Sequence, residues 1–310
     1  MQEADSPSPV PAQEPAPLSP PPRPFIVSVF IGADGLRAGW RVTLYFGMFF
    51  LLSMGLGALI MLGHPKPLPL IWRLFAGECI QLFSAVVPAL ILAKIEHRQF
   101  DDYGLRLRKP FGKLFLTGAA WGLAGLTLLL LIMRWAGVFY FGHIVLHGPR
   151  VAKFAFFYAV LFLIVALFEE FWVRGYSLFT LAQGMGFWPA AGLLSLAFGA
   201  IHLGNRNEAF SGALAAAVIG LFFCLTLRRT GTLWFAIGFH AAWDWGETYL
   251  YSVPDSGLSV PGQLMKPSFQ GKDWLTGGPV GPEGSVFVFV VMALIAVLFD
   301  RLYREAKYLP

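Results

Sequence analysis

Eight stretches of this chain, near 40–62, 70–93, 113–137, 153–182, 187–206, 208–227, 231–252 and 284–303, are apolar over about the 20 residues a helix needs to cross a bilayer. Lipid offers no partner for backbone N–H and C=O groups, so a segment of that kind must satisfy them internally, as a helix does. The expected fold class is therefore an all-α polytopic membrane protein with about eight transmembrane helices around a buried polar site. Composition agrees: the chain is 56% hydrophobic and 13% charged, with 30 Phe and 10 Trp among 310 residues, about half the charge of a soluble domain.

Two segments stand outside the spans. The first 24 residues hold nine prolines and no apolar run, which excludes both a helix and the core of a cleavable signal peptide. Residues 1–39 are expected to be a disordered, Pro-rich tail with a juxtamembrane segment, and 40–310 the membrane domain, its functional core at about 153–252. Residues 253–283, rich in Gly and Pro, form the one long loop, either a linker or a flap over the site.

Lys and Arg in short loops set orientation. The connection after the second span carries Lys94, Arg98, Arg106, Arg108, Lys109 and Lys113, against only Lys66 after the first. That connection is expected to be cytoplasmic, and both termini with it, in agreement with Arg23, Arg37 and Arg41 at one end and Arg301, Arg304 and Lys307 at the other. The net charge of +5 is then a topology signal, and no nucleic-acid partner is implied. Cys79 and Cys224 lie inside spans and offer neither a disulfide framework nor a paired-cysteine metal motif.

Three fragments break the apolar pattern: Glu169-Glu170-Phe-Trp-Val-Arg174, Phe198-Gly-Ala-Ile-His202 and His240-Ala-Ala-Trp-Asp244. Ionisable groups in hydrocarbon are expensive and normally face a protein interior or wet cavity, where they have work to do. At 1.5 Å per residue, Glu169 stands about 21 Å, His202 about 22 Å, His240 about 14 Å and Asp244 about 20 Å from the cytoplasmic ends of their spans. Four groups from three helices can converge in the inner half of the bilayer, so that cleavage is expected near the cytoplasmic side. Phe198 and His202 share a helix face, as do His240 and Asp244, so Asp244 either orients His240 or joins it on one metal ion. Glu170 and Arg174, also four apart, form an internal ion pair, and Glu169, turned about 100° away, is the free carboxylate.

Alone, Phe-x-x-x-His carries little, since a membrane histidine often only hydrogen-bonds a neighbouring helix. Glu-Glu-x-x-x-Arg inside a span is rarer, and the three fragments at matching depths are a strong signal together. Other polar residues are assigned more ordinary roles. Arg73 snorkels near a span end, Glu78 and Gln81 line the cavity or pair with another helix, and Glu247 lies on the face of His240 as a reserve ligand. Ser195 is a packing serine. His64, His97, His143 and His147 fall in loops or at span ends, and Trp172, Trp243 and Trp245 border the charged residues.

The ordered trio resembles the CPBP intramembrane proteases, the group named for CAAX prenyl and bacteriocin processing, also called Abi, which includes the eukaryotic CAAX prenyl protease 2. The resemblance spans roughly residues 40 to 252, and Tyr103-Gly-Leu-Arg-Leu-Arg108 looks like the basic Gly-Leu-Arg loop common in that family. It implies an intramembrane endopeptidase in which Glu169 and His202 activate the attacking water while His240 and Asp244 complete the site. Family members with known CAAX activity tend to carry Asn where this chain has Asp244. An ionised aspartate cannot donate to an oxyanion, so a metal-ligand or histidine-orienting role gains. His202, His240 and Asp244 form a legitimate zinc set with an open water position. A metalloprotease and a metal-free, glutamate-dependent enzyme are both consistent with the resemblance.

His-Glu-x-x-His and Gly-x-Gly-Asp, the signatures of other intramembrane protease chemistries, do not occur. The alternative from another class is a catalytically silent scaffold or immunity protein that uses the same polar cluster for helix association. A transporter would be expected to show an internal repeat, and none is visible. The implied partners are the lipid bilayer and a peptide or protein substrate reaching the site from the cytoplasmic side, in a bacterial inner or plasma membrane.

Overall fold

The computed structural model describes residues 24–308 apart from 33–34, 64–65, 67, 108–109, 206 and 259. The Pro-rich tail through Arg23, His64, Arg108 and Lys109 lie outside the described residues. The described residues up to Arg37 form one compact unit and those from Ala38 onward another. In the first, helix α1 (Phe25–Phe30) leads into a hairpin of β1 (Ile31–Gly32) and β2 (Gly35–Leu36). Arg37 closes it, its Nε donating to the Ser28 carbonyl at 2.8 Å. These elements belong to the juxtamembrane segment, and the expectation of a disordered tail falls on residues outside those described.

The second unit is helical: α2 (Ala38–Gly63), α3 (Leu70–Ile95), α4 (Lys113–Trp135), α5 (Pro149–Phe171), α6 (Leu178–Met185), α7 (Phe187–His202), α8 (Phe210–Thr230), α9 (Trp234–Trp245), α10 (Asp273–Thr276) and α11 (Val286–Leu302). Helices occupy all eight expected stretches, yet by length and composition five runs qualify as membrane spans among the described residues: α2, α3, α4, the continuous Pro149–Met185 run, and α8. α7, with 16 residues, and α11, with 17, are shorter than the roughly 20 residues a perpendicular span requires. α9 has 12 residues and buries Phe235, Ala236 and Ile237 completely, so it is a central helix shielded by its neighbours from lipid.

Glycines let α9 into that position. A Cβ at Gly118 or Gly122 of α4 would stand 2.1 or 2.2 Å from the carbonyl oxygens of Phe235 and Phe239, and one on Gly238 would stand 2.1 Å from the Phe115 carbonyl. The two backbones therefore touch along small-residue faces, the way membrane helices associate without a hydrophobic drive.

The two ends of the bundle differ. Arg41 at the start of α2 pairs with Glu96 just past α3 and donates to Gln183 of α6 at 2.9 Å. The Leu233 N–H donates to the Gly104 carbonyl at 2.9 Å, and the Tyr308 hydroxyl to the Asp102 carbonyl at 2.8 Å. Both the segment after α3 and the chain's C-terminal residues thus gather at one basic end. The opposite end carries a ribbon unforeseen in the sequence reading: β3 (Phe139–Ile144) pairs antiparallel with β4 (Met265–Phe269), with a bulge between Tyr140 and His143. The long loop is accordingly a folded connection, anchored by β4 and α10.

Candidate active site

α5 brings Glu169 and Glu170 to the centre, and the helix then widens into a π turn over Trp172–Ser177. Gly175 makes the turn possible: its ψ of −111° is not helical, and a Cβ there would meet the Phe171 ring at 2.7 Å. Single π turns inside α-helices are frequent at functional sites. Arg174, fully buried, donates through Nη1 to Glu170 Oε1 at 3.1 Å, as the four-residue spacing anticipates. Its guanidinium lies 4.4 Å from the centre of the Phe198 ring, and Gly220 of α8 leaves the room, since a Cβ there would stand 2.4 Å from Nη2.

His240, from α9, is the hub. Its Nδ1 lies 3.0 Å from Glu170 Oε1, its Nε2 3.3 Å from Asp244 Oδ2 and 3.8 Å from Glu169 Oε2. The Phe223 ring stacks on it at 5.7 Å. With carboxylates at both ring nitrogens, both can donate only if the ring is an imidazolium. His202, the last residue of α7, makes a 2.8 Å hydrogen bond between Nδ1 and the Phe198 carbonyl. A carbonyl only accepts, so Nδ1 is the donor, and in the neutral ring Nε2 is then an acceptor. Phe198 also packs edge-on against the His202 ring at 4.5 Å.

Glu169, His202, His240 and Asp244 line one cavity of about 770 Å³. The expected orienting partner of His240 was Asp244. The structure adds Glu170, a contact across 70 residues that no local spacing announces. Glu78 and Arg73 of α3 line the cavity too, and so do Asp255 and Glu283 of the long loop. Burial, reinforced by Asp244, pushes the Glu283 carboxyl up to about 7, and burial with the same neighbour holds Asp255 well above its ordinary value. Glu247 is fully buried beside these two loop carboxylates. Ser195 is buried against Cys224, 3.8 Å away, as a packing serine should be.

Among the described residues, the only His, Cys, Asp or Glu trio with ligand atoms within 4.8 Å of one another is Glu247, Asp255 and Glu283. His202, His240 and Asp244, the expected zinc set, are not such a trio, although His240 and Asp244 stand 3.3 Å apart and all three line one cavity.

The cavity lies toward the end opposite the basic connection. Its lining includes Leu70 and Arg73 at the start of α3, Asn205 and Asn207 after α7, and the loop residues Asp255 and Glu283. The basic end and the cavity end are thus different ends of the bundle, and cytoplasmic termini would put the cavity toward the other compartment.

Fold and site together define a polytopic helical membrane protein with a buried acid and histidine cluster walling a polar cavity. Residues 151–246, which contain all four of the expected catalytic residues, match the family described as type II CAAX prenyl endopeptidase Rce1-like. That match bears out the resemblance to the CPBP/CAAX protease family, a family of endopeptidases. No curated protein matches the chain.

Proposed function

We propose that this protein is an intramembrane endopeptidase in which Glu169 activates water for attack on a peptide carbonyl. The observation that carries the reading is the convergence of Glu169, His202, His240 and Asp244 from α5, α7 and α9 on one cavity, inside the segment similar to Rce1-like endopeptidases.

Water held between Glu169 and the free Nε2 of His202 gives its proton to the Glu169 carboxylate as its oxygen adds to the substrate carbonyl carbon. The C=O electron pair moves onto oxygen, and the His240 imidazolium, fixed by Glu170 and Asp244, offsets that charge in a site of low dielectric. Collapse of the intermediate breaks the C–N bond, and protonated Glu169 passes its proton to the departing nitrogen. Asp244 accepts from His240, so it acts on the oxyanion only through that ring, which explains how an aspartate serves where relatives tend to carry Asn. The cavity supplies the water that lipid lacks.

On the Lys and Arg distribution we place the basic end and both termini in the cytoplasm. The substrate then enters from the cavity end, which replaces entry from the cytoplasmic side. Cleavage of a peptide panel by the purified protein, prenylated and unprenylated CAAX tails included, tests the activity. Turnover that depends on Glu169 supports it, and no cleavage of any member favours a silent scaffold.

A further inference from the structure

Glu247, Asp255 and Glu283 each place a carboxylate oxygen within 4.8 Å of the other two. Three features separate this group from an ordinary acidic surface. First, Glu247 is fully buried, and among the described residues neither of its oxygens accepts a hydrogen bond. The Trp243 indole N–H is the donor nearest to it and favours its charged form, but stops short of a full hydrogen bond. Second, Asp255 and Glu283 are each held by one hydroxyl, from Thr248 at 3.0 Å and Ser256 at 2.9 Å, with the second oxygen of each carboxylate uninvolved in those bonds. Third, no Lys or Arg ion pair reaches any of the three among the described residues.

A buried carboxylate with no full hydrogen bond and no counter-charge, as Glu247 is, is strongly disfavoured. Here a second and third carboxylate add repulsion. A cation seated among them removes both costs. We infer that Glu247, Asp255 and Glu283 form a binding site for a hard divalent cation of the Ca²⁺ type. The donors are all oxygen, the preference of Ca²⁺ and Mg²⁺ rather than of zinc. Ca²⁺ is caged by several protein oxygens, whereas Mg²⁺ usually keeps its waters and is held by one or two carboxylates, so three converging protein carboxylates suit the larger ion.

The ion would join three separate pieces of chain. Glu247 stands in the π turn that follows α9, three residues beyond Asp244, while Asp255 and Glu283 stand near the two ends of the long loop. Because Asp255 and Glu283 also line the cavity that contains Glu169 and His240, the bound cation would fix the loop as a wall of that cavity. The site stands on these contacts alone and does not require that the protein cleave peptides.

Terbium, which replaces Ca²⁺ and is excited through nearby tryptophan, reports binding directly. With the full-length protein in detergent, Tb³⁺ should give saturable sensitised emission that Ca²⁺ competes away, and Ca²⁺ should raise Tm progressively above the value in chelator. Asp255→Asn and Glu283→Gln, at partly exposed loop positions, should keep helicity and fold in chelator yet lose most of the Tb³⁺ emission and of the Ca²⁺-dependent rise in Tm. Glu247→Gln should do the same if it folds, and the two loop variants decide the matter if it does not. Absence of saturable emission and of any Ca²⁺ effect on Tm in the parent would overturn the site. So would emission and stabilisation of undiminished size in both loop variants.

Discussion

Glu170 serves two partners with one oxygen, accepting from Arg174 at 3.1 Å while facing His240 Nδ1 at 3.0 Å. Replacing it with Gln leaves a buried guanidinium without a counter-charge and frees the imidazole to turn. Loss of one partner of a buried pair typically costs about 3–5 kcal/mol, so Glu170→Gln should lower Tm markedly and reduce cleavage as well. A variant with the parent's Tm would contradict the pairing. Asp244→Asn is milder. It keeps the shape and removes one of two carboxylates at His240, and cleavage should fall about tenfold, the scale of one hydrogen bond to a charged group, with zinc content unchanged from the parent. Zinc bound stoichiometrically in the parent and lost with activity in this variant would instead make Asp244 a ligand. What could be read at this scale followed helical spacing. Four-residue intervals gave the Glu170–Arg174 pair and the His240–Asp244 contact, whereas Glu170 with His240 joins positions 70 residues apart and has no local signature.

The element that sets the site is α9, and its position depends on the glycine face of α4. Gly122→Val would drive a side chain into the Phe239 carbonyl, 2.2 Å from the Cβ position. Overpacking of this kind costs about 1–3 kcal/mol, and because His240 follows Phe239 directly, cleavage should fall together with Tm. Unchanged stability would mean that α4 and α9 do not meet as described. Apolar stretches located all of the major helices, because their length and composition carry the signal. Their function as spans was less legible: α7, α9 and α11 are short, and α9 is apolar because protein surrounds it. Two features lay beyond a periodicity reading. The π turn at Trp172–Ser177 depends on Gly175, whose meaning appears only against the Phe171 ring, and the β3–β4 ribbon pairs segments more than a hundred residues apart through backbone bonds.

For the molecule as a whole, orientation and access form one question. We propose from the Lys and Arg count that the basic end is inside, and the cavity, lined by residues of the 253–283 segment, lies at the other end. Tags at both termini should therefore be accessible only from the cytoplasm, and a cysteine replacing Leu258, which is 45% exposed, should be labelled from outside by a membrane-impermeant reagent. The opposite labelling pattern would invert the protein and give the cavity to the cytoplasm. Helical rise placed the four groups in the inner half of the bilayer, whereas the cavity that they line extends to the end opposite the termini. The loop that walls the cavity carries no periodic pattern, so its carboxylates escaped notice. The most direct measurement is the rate of peptide cleavage by the purified protein and by Glu169→Gln at equal helicity. Loss of the acid-base group should lower the rate on the order of a hundred-fold or more. Proteolysis retained at the parent's rate would contradict Glu169 as the residue that activates water.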